Sequence, residues 1–258
     1  MSVQITFFGA AAYKIITSGG QHVLVDPFLN KNVYSPVKAS DLERVDLLLL
    51  THAAFDHFGD APEILRRFRC PVIAAKDVLH LLERVHGIDP GLFRVTIWGF
   101  LQEVVGVRVQ AVESHHWSFA VTPDGQLLSG PALGYIIDAG PDLRIYHPGD
   151  TALTLDMKLW GERYRPTVGL MHVTLPEGEG VSLPHMECYK TGEITPQEAY
   201  LASEWLGLKH IIASHYVDPG APDVHAFLDL ARAADRHDGL APRITVMKPG
   251  ETITLERA

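Results

Sequence analysis

The chain has 258 residues, 47% apolar and 21% charged, enough to bury a substantial core. A net charge of −9 without clustered Lys and Arg excludes a nucleic-acid footprint. Two cysteines, Cys70 and Cys188, lie outside any CxxC pattern, no apolar run reaches the ~20 residues that span a bilayer, and the amino terminus lacks a basic leader; the expectation is a reduced, cytoplasmic protein with no transmembrane segment.

Val3, Ile5 and Phe7 alternate with Gln4 and Thr6, the period of a half-buried strand. Tyr13–Thr17 and His22–Asp26, separated by Ser18-Gly19-Gly20, extend it into a hairpin or meander. Val45–Leu50 is apolar apart from Asp46, which predicts a strand buried on both faces and ending at Thr51-His52. Asp60 and Glu63 stand at capping-box spacing around Pro62, predicting a helix with Ile64, Leu65 and Phe68 on one side. A second helix is predicted over Asp77–His86, stopped by Gly87.

The middle reads as strands over Phe93–Ile97, Glu103–Val112, Leu133–Asp138, Leu143–Tyr146 and Thr167–Leu175. Pro176–Gly192 is polar and rich in Gly and Pro, a long loop of the kind that covers a site. Thr195-Pro196-Gln197-Glu198 combines a cap, a proline in the first turn and a capping-box glutamate, so a helix runs from it to Leu206 and stops at Gly207. A strand over His210–Ser214, a helix over Asp223–Arg236 and strands over Arg243–Met247 and Thr252–Leu255 complete the chain. No internal repeat is visible. A strand-rich first half and a strand–helix second half suit two stacked sheets flanked by helices, in one domain over residues 1–258.

Polar residues gather where predicted strands end: Asp26, the segment Thr51–His57, His115-His116, Gly149-Asp150-Thr151, and His215. Singly, each has an ordinary use; Asp56 suits a helix cap and Asp26 a turn before Pro27. His22, His80, His86, His210, His225 and His237 are assigned to surface or core. Together, imidazoles and carboxylates on stiff strand ends suit zinc, with manganese and iron as alternatives. Cysteine is absent from the set, which points to a catalytic site with open positions and not to a structural thiolate site.

His52, Asp56 and His57 resemble the HxHxDH signature of the metallo-β-lactamase superfamily, with Asp26, His116, Asp150 and His215 matching its other motifs in order. Ser114-His115-His116-Trp117-Ser118 resembles two of its branches, that of the ascorbate-6-phosphate lactonase and that of the N-acylphosphatidylethanolamine-hydrolysing phospholipases. The resemblance covers nearly the whole chain. It implies an α+β, four-layer αββα sandwich with the metal in the cleft between the sheet edges. It also implies hydrolysis by metal-bound hydroxide of a small lactone or ester, or of a phosphodiester, with Asp56 orienting or deprotonating the water.

One departure matters: the signature's second histidine is Ala54 here. The resemblance assigns Asp56, His57 and His215 to one metal position and His52 and His116 to the other, with Asp150 bridging. One tight site and a weak or empty neighbour follow. His115, His172 and His185 are the residues that could stand in for the missing imidazole. Trp117, His185, Glu187 and Tyr189 are the substrate or lid candidates. Two alternatives use the same fold: a catalytically impaired metal-binding or regulatory protein, and a mononuclear iron oxygenase. Oligomeric state is not legible.

Overall fold

The computed structural model describes residues 2–174, 192–238 and 242–256. Two seven-stranded mixed sheets pack face to face. The first contains β1 (Val3–Gly9), β2 (Ala12–Ile16), β3 (His22–Val25), β4 (Leu47–Leu49), β5 (Val72–Ala74) and β6 (Phe93–Val95). The second contains β7 (Leu101–Val104), β8 (Val107–Val121), β9 (Leu127–Gly140), β10 (Leu143–His147), β11 (Val168–His172), β12 (His210–Ser214) and β13 (Arg243–Thr245). β14 (Thr252–Leu255) returns to the outer edge of β1.

The sheets share one plan. β1, β2 and β3 are antiparallel, then β3 to β6 run parallel. β8, β9 and β10 are antiparallel, then β10 to β13 run parallel. The parallel crossovers need intervening helices. α1 (Phe55–Phe58), α2 (Ala61–Phe68) and α3 (Lys76–Arg84) serve the first sheet, and α4 (Asp156–Tyr164), α5 (Pro196–Leu206) and α6 (Pro222–Asp238) the second. The predicted αββα sandwich is the observed one. None of these helices is long and apolar enough to cross a membrane.

One apolar cluster fills the space between the sheets and continues beneath α5 and α6, uniting Ile5, Tyr13 and Leu47 with Leu133, Tyr135, Ala199 and Phe227. A second, around Leu24, Leu48 and Leu50, seats α2 and α3 through Ile64, Leu65, Leu79 and Leu82. Tyrosine hydroxyls tie the layers: Tyr135 of β9 donates to Leu50 O at 2.7 Å, with Ile73 O 3.2 Å away. Such contacts satisfy backbone carbonyls where both faces of a strand are dry.

Several sequence expectations need correction. β1 is buried on both faces except at Gln4, because Thr6 meets Thr252 of β14 at 2.8 Å and Phe8 packs in the second cluster. The strand predicted over Val45–Leu50 narrows to β4. The single strand predicted over Glu103–Val112 is a hairpin: Val105 and Gly106 take positive φ (48° and 79°), turning β7 into β8. Asp60 leaves the α2 amides uncapped and accepts instead from Leu29 N and Asn30 N at 2.7 and 2.9 Å. α1 and α4 were not foreseen; α1 is a single turn, and α4 buries only Met157 and Trp160. The Thr195–Glu198 capping box and the left-handed Gly207 stand as predicted.

Tyr135→Phe removes a buried donor and leaves the Leu50 carbonyl without it. We expect a loss of roughly 1–3 kcal/mol in unfolding free energy, read by urea denaturation followed by circular dichroism.

Candidate metal centre

Parallel strands in both sheets end toward the same cleft. Asp26 follows β3, Thr51-His52 follows β4, Asp150 follows β10, His172 closes β11 and His215 follows β12. Carboxyl ends of parallel strands are where α/β sheets place their ligands. His116 comes from within a long strand, at the register break between Glu113 and Trp117 of β8 that turns the bulged residues out of the ladder.

Asp150 is the hub. Its Oδ2 lies 3.1 Å from His57 Nε2, 3.8 Å from His52 Nε2 and 4.0 Å from His116 Nε2. Its Oδ1 lies 3.2 Å from His215 Nε2 and 3.5 Å from His172 Nδ1. Asp56 completes the floor, with Oδ2 3.8 Å from both His57 Nε2 and His215 Nε2. Gly149 permits the approach: its φ is +62°, and a Cβ there would meet Thr51 Cβ and Leu133 O at 2.9 Å.

Behind the hub lies a fully buried support. Asp26 accepts from Thr51 N (2.8 Å) and Thr51 Oγ1 (2.7 Å), and meets His57 Nδ1 at 2.8 Å and His147 Nε2 at 3.0 Å. With Nδ1 held by Asp26, His57 aims Nε2 at Asp150. His116 is oriented the same way, Nδ1 meeting Gly192 O at 3.1 Å. Gly192 must be small, since a Cβ would stand 2.8 Å from that ring.

The electrostatics match. Burial opposes ionisation of Asp150, yet His215 and His57 hold its pKa well below the usual carboxylate range. Burial likewise opposes the Asp26 charge, and His57 and His147 overcome it. Burial depresses the pKa of His52, with His57 adding to the effect, and also depresses those of His172 and His215. His57, flanked by Asp150 and Asp26, is raised against the cost of its burial.

A divalent cation fits this arrangement. His52 Nε2, His172 Nδ1, His215 Nε2 and Asp150 Oδ1 are buried with no hydrogen-bond partner, and each of the three rings lies within 3.8 Å of an Asp150 oxygen. Lone pairs gathered without donors are costly unless a cation lies among them. The donor atoms form three overlapping sets, each within 4.8 Å: Asp56, His57, His215; His52, His116, Asp150; and Asp150, His172, Glu193, His215.

Thus the structure brings together His52, Asp56, His57, His116, Asp150 and His215, all the ligands named from sequence. Trp117, 60% exposed, walls the adjoining cavity of about 430 Å³ with Phe55 and Phe119. Asp26 supports the imidazoles and stands in none of the donor sets. His115 stands apart, half-exposed and 3.6 Å from Glu113, so it does not replace the missing imidazole. His185, Glu187 and Tyr189 lie outside the described residues. Sequence reasoning gave no role to His147 or Glu193. His147 was visible as a strand-end polar residue two places before Gly149, whereas Glu193 carried no signal.

The fold, the histidine–carboxylate hub and the open cleft define a metallo-β-lactamase-type hydrolase. The chain belongs to the β-lactamase superfamily domain family, which matches residues 21–216, and to the UPF0173 metal-dependent hydrolases. A UPF0173 metal-dependent hydrolase of Rubrobacter xylanophilus is 32% identical over 255 residues, covering 97% of this chain and 96% of that protein. One from Pyrococcus furiosus is also 32% identical, covering 98% and 100%. Among solved structures, Igni18, a metallo hydrolase of Ignicoccus hospitalis, aligns over all of both chains with TM-score 0.77 and 26% identity.

Asp26→Asn keeps the shape but makes the group facing His57 Nδ1 neutral. We expect zinc affinity about 10–100-fold weaker, measured by competition with a chromophoric chelator.

Proposed function

We propose that the chain hydrolyses a small, uncharged lactone or carboxylic ester bearing an apolar group, with Asp56 as the base. The observation that carries this reading is the convergence of Asp56, Asp150 and His215 on the floor of a cavity whose walls hold Ala53, Ala54, Phe55, Trp117 and Phe119, with His57 buried beneath, 3.1 Å from Asp150. A wider recess of about 860 Å³, with Ile97, Trp98 and Pro131, shares His116 and Trp117 with it. No Lys or Arg among the described residues lines either space. A phosphodiester brings a negative charge that enzymes neutralise with such groups or with paired metals. An ester does not.

A divalent cation at this position lowers the pKa of a water toward ~7 and polarises the scissile carbonyl. The protein's part is positioning and proton transfer. His57 and His215 orient their lone pairs, and Asp150 supplies the anionic hub. Asp56, 23% exposed at its side chain, borders both the imidazoles and the cavity, so its carboxylate can take the proton of the attacking water and pass it to the leaving alkoxide. Trp117, Phe55 and Phe119 hold the apolar part of the substrate and shed water from it.

Ala54 sets the balance between positions. Asp56, His57, His215 and Asp150 hold the tight ion, while His52 and His116, short of one imidazole, hold a second weakly. Dialysed protein then retains one equivalent of metal. Ala54→His is expected to raise retention toward two equivalents, read by elemental analysis.

The activity is tested with a panel of lactones, aryl esters and bis-p-nitrophenyl phosphate. We expect turnover of the neutral esters to exceed that of the phosphodiester, and Asp56→Asn to lower kcat by about 10²–10⁴. Phosphodiester turnover above ester turnover would overturn the substrate assignment, and full activity of the Asp56 variant would overturn its role.

A further inference from the structure

Each imidazole used so far shows one of two arrangements around Asp150. His57 and His116 tie one ring nitrogen outward, to Asp26 and to Gly192 O, and aim the other inward. His52 does the same with Thr51 Oγ1, 3.1 Å from its Nδ1. His215 reaches Asp150 from a strained backbone, with φ of +64°.

His172 repeats the first arrangement. It lies outside the ligand set that the sequence resemblance implies. Its Nε2 meets Thr174 O and Glu193 Oε2, both at 2.6 Å. A carbonyl and a carboxylate only accept, so Nε2 carries the hydrogen and Nδ1 presents its lone pair. That lone pair faces Asp150 Oδ1 at 3.5 Å, with no hydrogen-bond partner, on a side chain 1% exposed. The ring lies against that of His215, centroids 3.8 Å apart and planes tilted by 35°. Two acceptors facing each other in a dry site, one held from behind by the Thr174 carbonyl with the Glu193 carboxylate beside it, form the arrangement of a ligating histidine with its orienting partners.

We propose that His172 is a metal ligand of this chain, joining Asp150 and His215, and that Glu193 is the positioning residue that fixes its tautomer. Their donor atoms already lie within 4.8 Å of one another. His172 does not occupy the place of the imidazole missing at Ala54. Asp150 Oδ2 faces His57 as well as His52 and His116 of the position weakened by Ala54, whereas His172 adds a donor at Oδ1, beside His215. This rests on the metal-centre reading above and deepens it. The fold supports the geometry: Val173 N donates to Ser214 O at 3.2 Å, and the Thr174 hydroxyl donates to His215 O, which ties the two histidine-bearing segments together.

The test uses the full chain, stripped with chelator and titrated with cobalt(II) and with zinc(II). Affinity is read by calorimetry and the ligand field by the visible cobalt absorption. His172→Gln and His172→Ala are expected to weaken binding at least 10-fold and to alter the cobalt spectrum. Glu193→Gln is expected to weaken it about 10–100-fold and to shift the same bands. Asp150→Asn serves as the reference that abolishes the centre. If the His172 variants keep wild-type affinity and spectrum while Asp150→Asn loses metal, the inference about His172 fails and the centre stands. Weaker binding with an unchanged cobalt spectrum also overturns it, since that marks a structural role. If Asp150→Asn binds like the wild type, both readings fail. Should His172→Ala not fold, His172→Gln and Glu193→Gln carry the same readouts.

Discussion

A buried carboxylate is tolerated only where its charge is answered, and Asp150 lies within 4.0 Å of a ring nitrogen of each of five histidines. Every other feature of the cleft serves to bring those rings to it. They arrive from the ends of β4, β11 and β12, from the single turn α1, and from the register break in β8. Gly149 lets the backbone carrying Asp150 pass against Thr51. The rings cannot all carry protons in a site this dry, so their lone pairs gather around one anion, a donor set made for a divalent cation.

The scaffold makes that convergence affordable. Both sheets follow one plan of three antiparallel strands leading into parallel ones, and the two plans meet so that their parallel carboxyl ends share a cleft. The joint is held by the backbone pairing of Ala10 with Tyr216, in which His215 N donates to Ala10 O at 2.9 Å. Asp26 and His215 both adopt positive φ, 45° and 64°. Such backbone strain persists where dense surroundings over-determine it, and here it sits at two of the strand ends from which a side chain is aimed inward.

Within this frame the chain is asymmetric. Ala54 opens apolar space beside His52 and His116, and the exposed faces of Trp117, Phe119 and Phe55 continue it outward. On the other flank the donors crowd, with His172 and Glu193 behind His215. The cleft is thus rich in metal donors at its floor and apolar at its mouth, and it lacks basic side chains among the described residues. Charge at the floor serves the reaction; the mouth selects what enters.

Sequence by itself determined the local matters. Strand periodicity, the Thr195–Glu198 capping box and the ordered histidine and aspartate motifs depend on residues close in the chain, or on motifs whose order survives without coordinates. The candidate ligands His52, Asp56, His57, His116, Asp150 and His215 could be picked out for that reason. Tertiary structure alone decided what depends on through-space neighbours. Asp26 became a support because three donor residues close around it, His115 turned outward at the bulge, and His147 acquired a role through contact with Asp26, 121 residues away. The repeated sheet plan was invisible because many apolar sequences satisfy the same backbone pairing. Glu193 was invisible because a polar residue before a helix cap looks like any loop residue until it stands 2.6 Å from a buried imidazole.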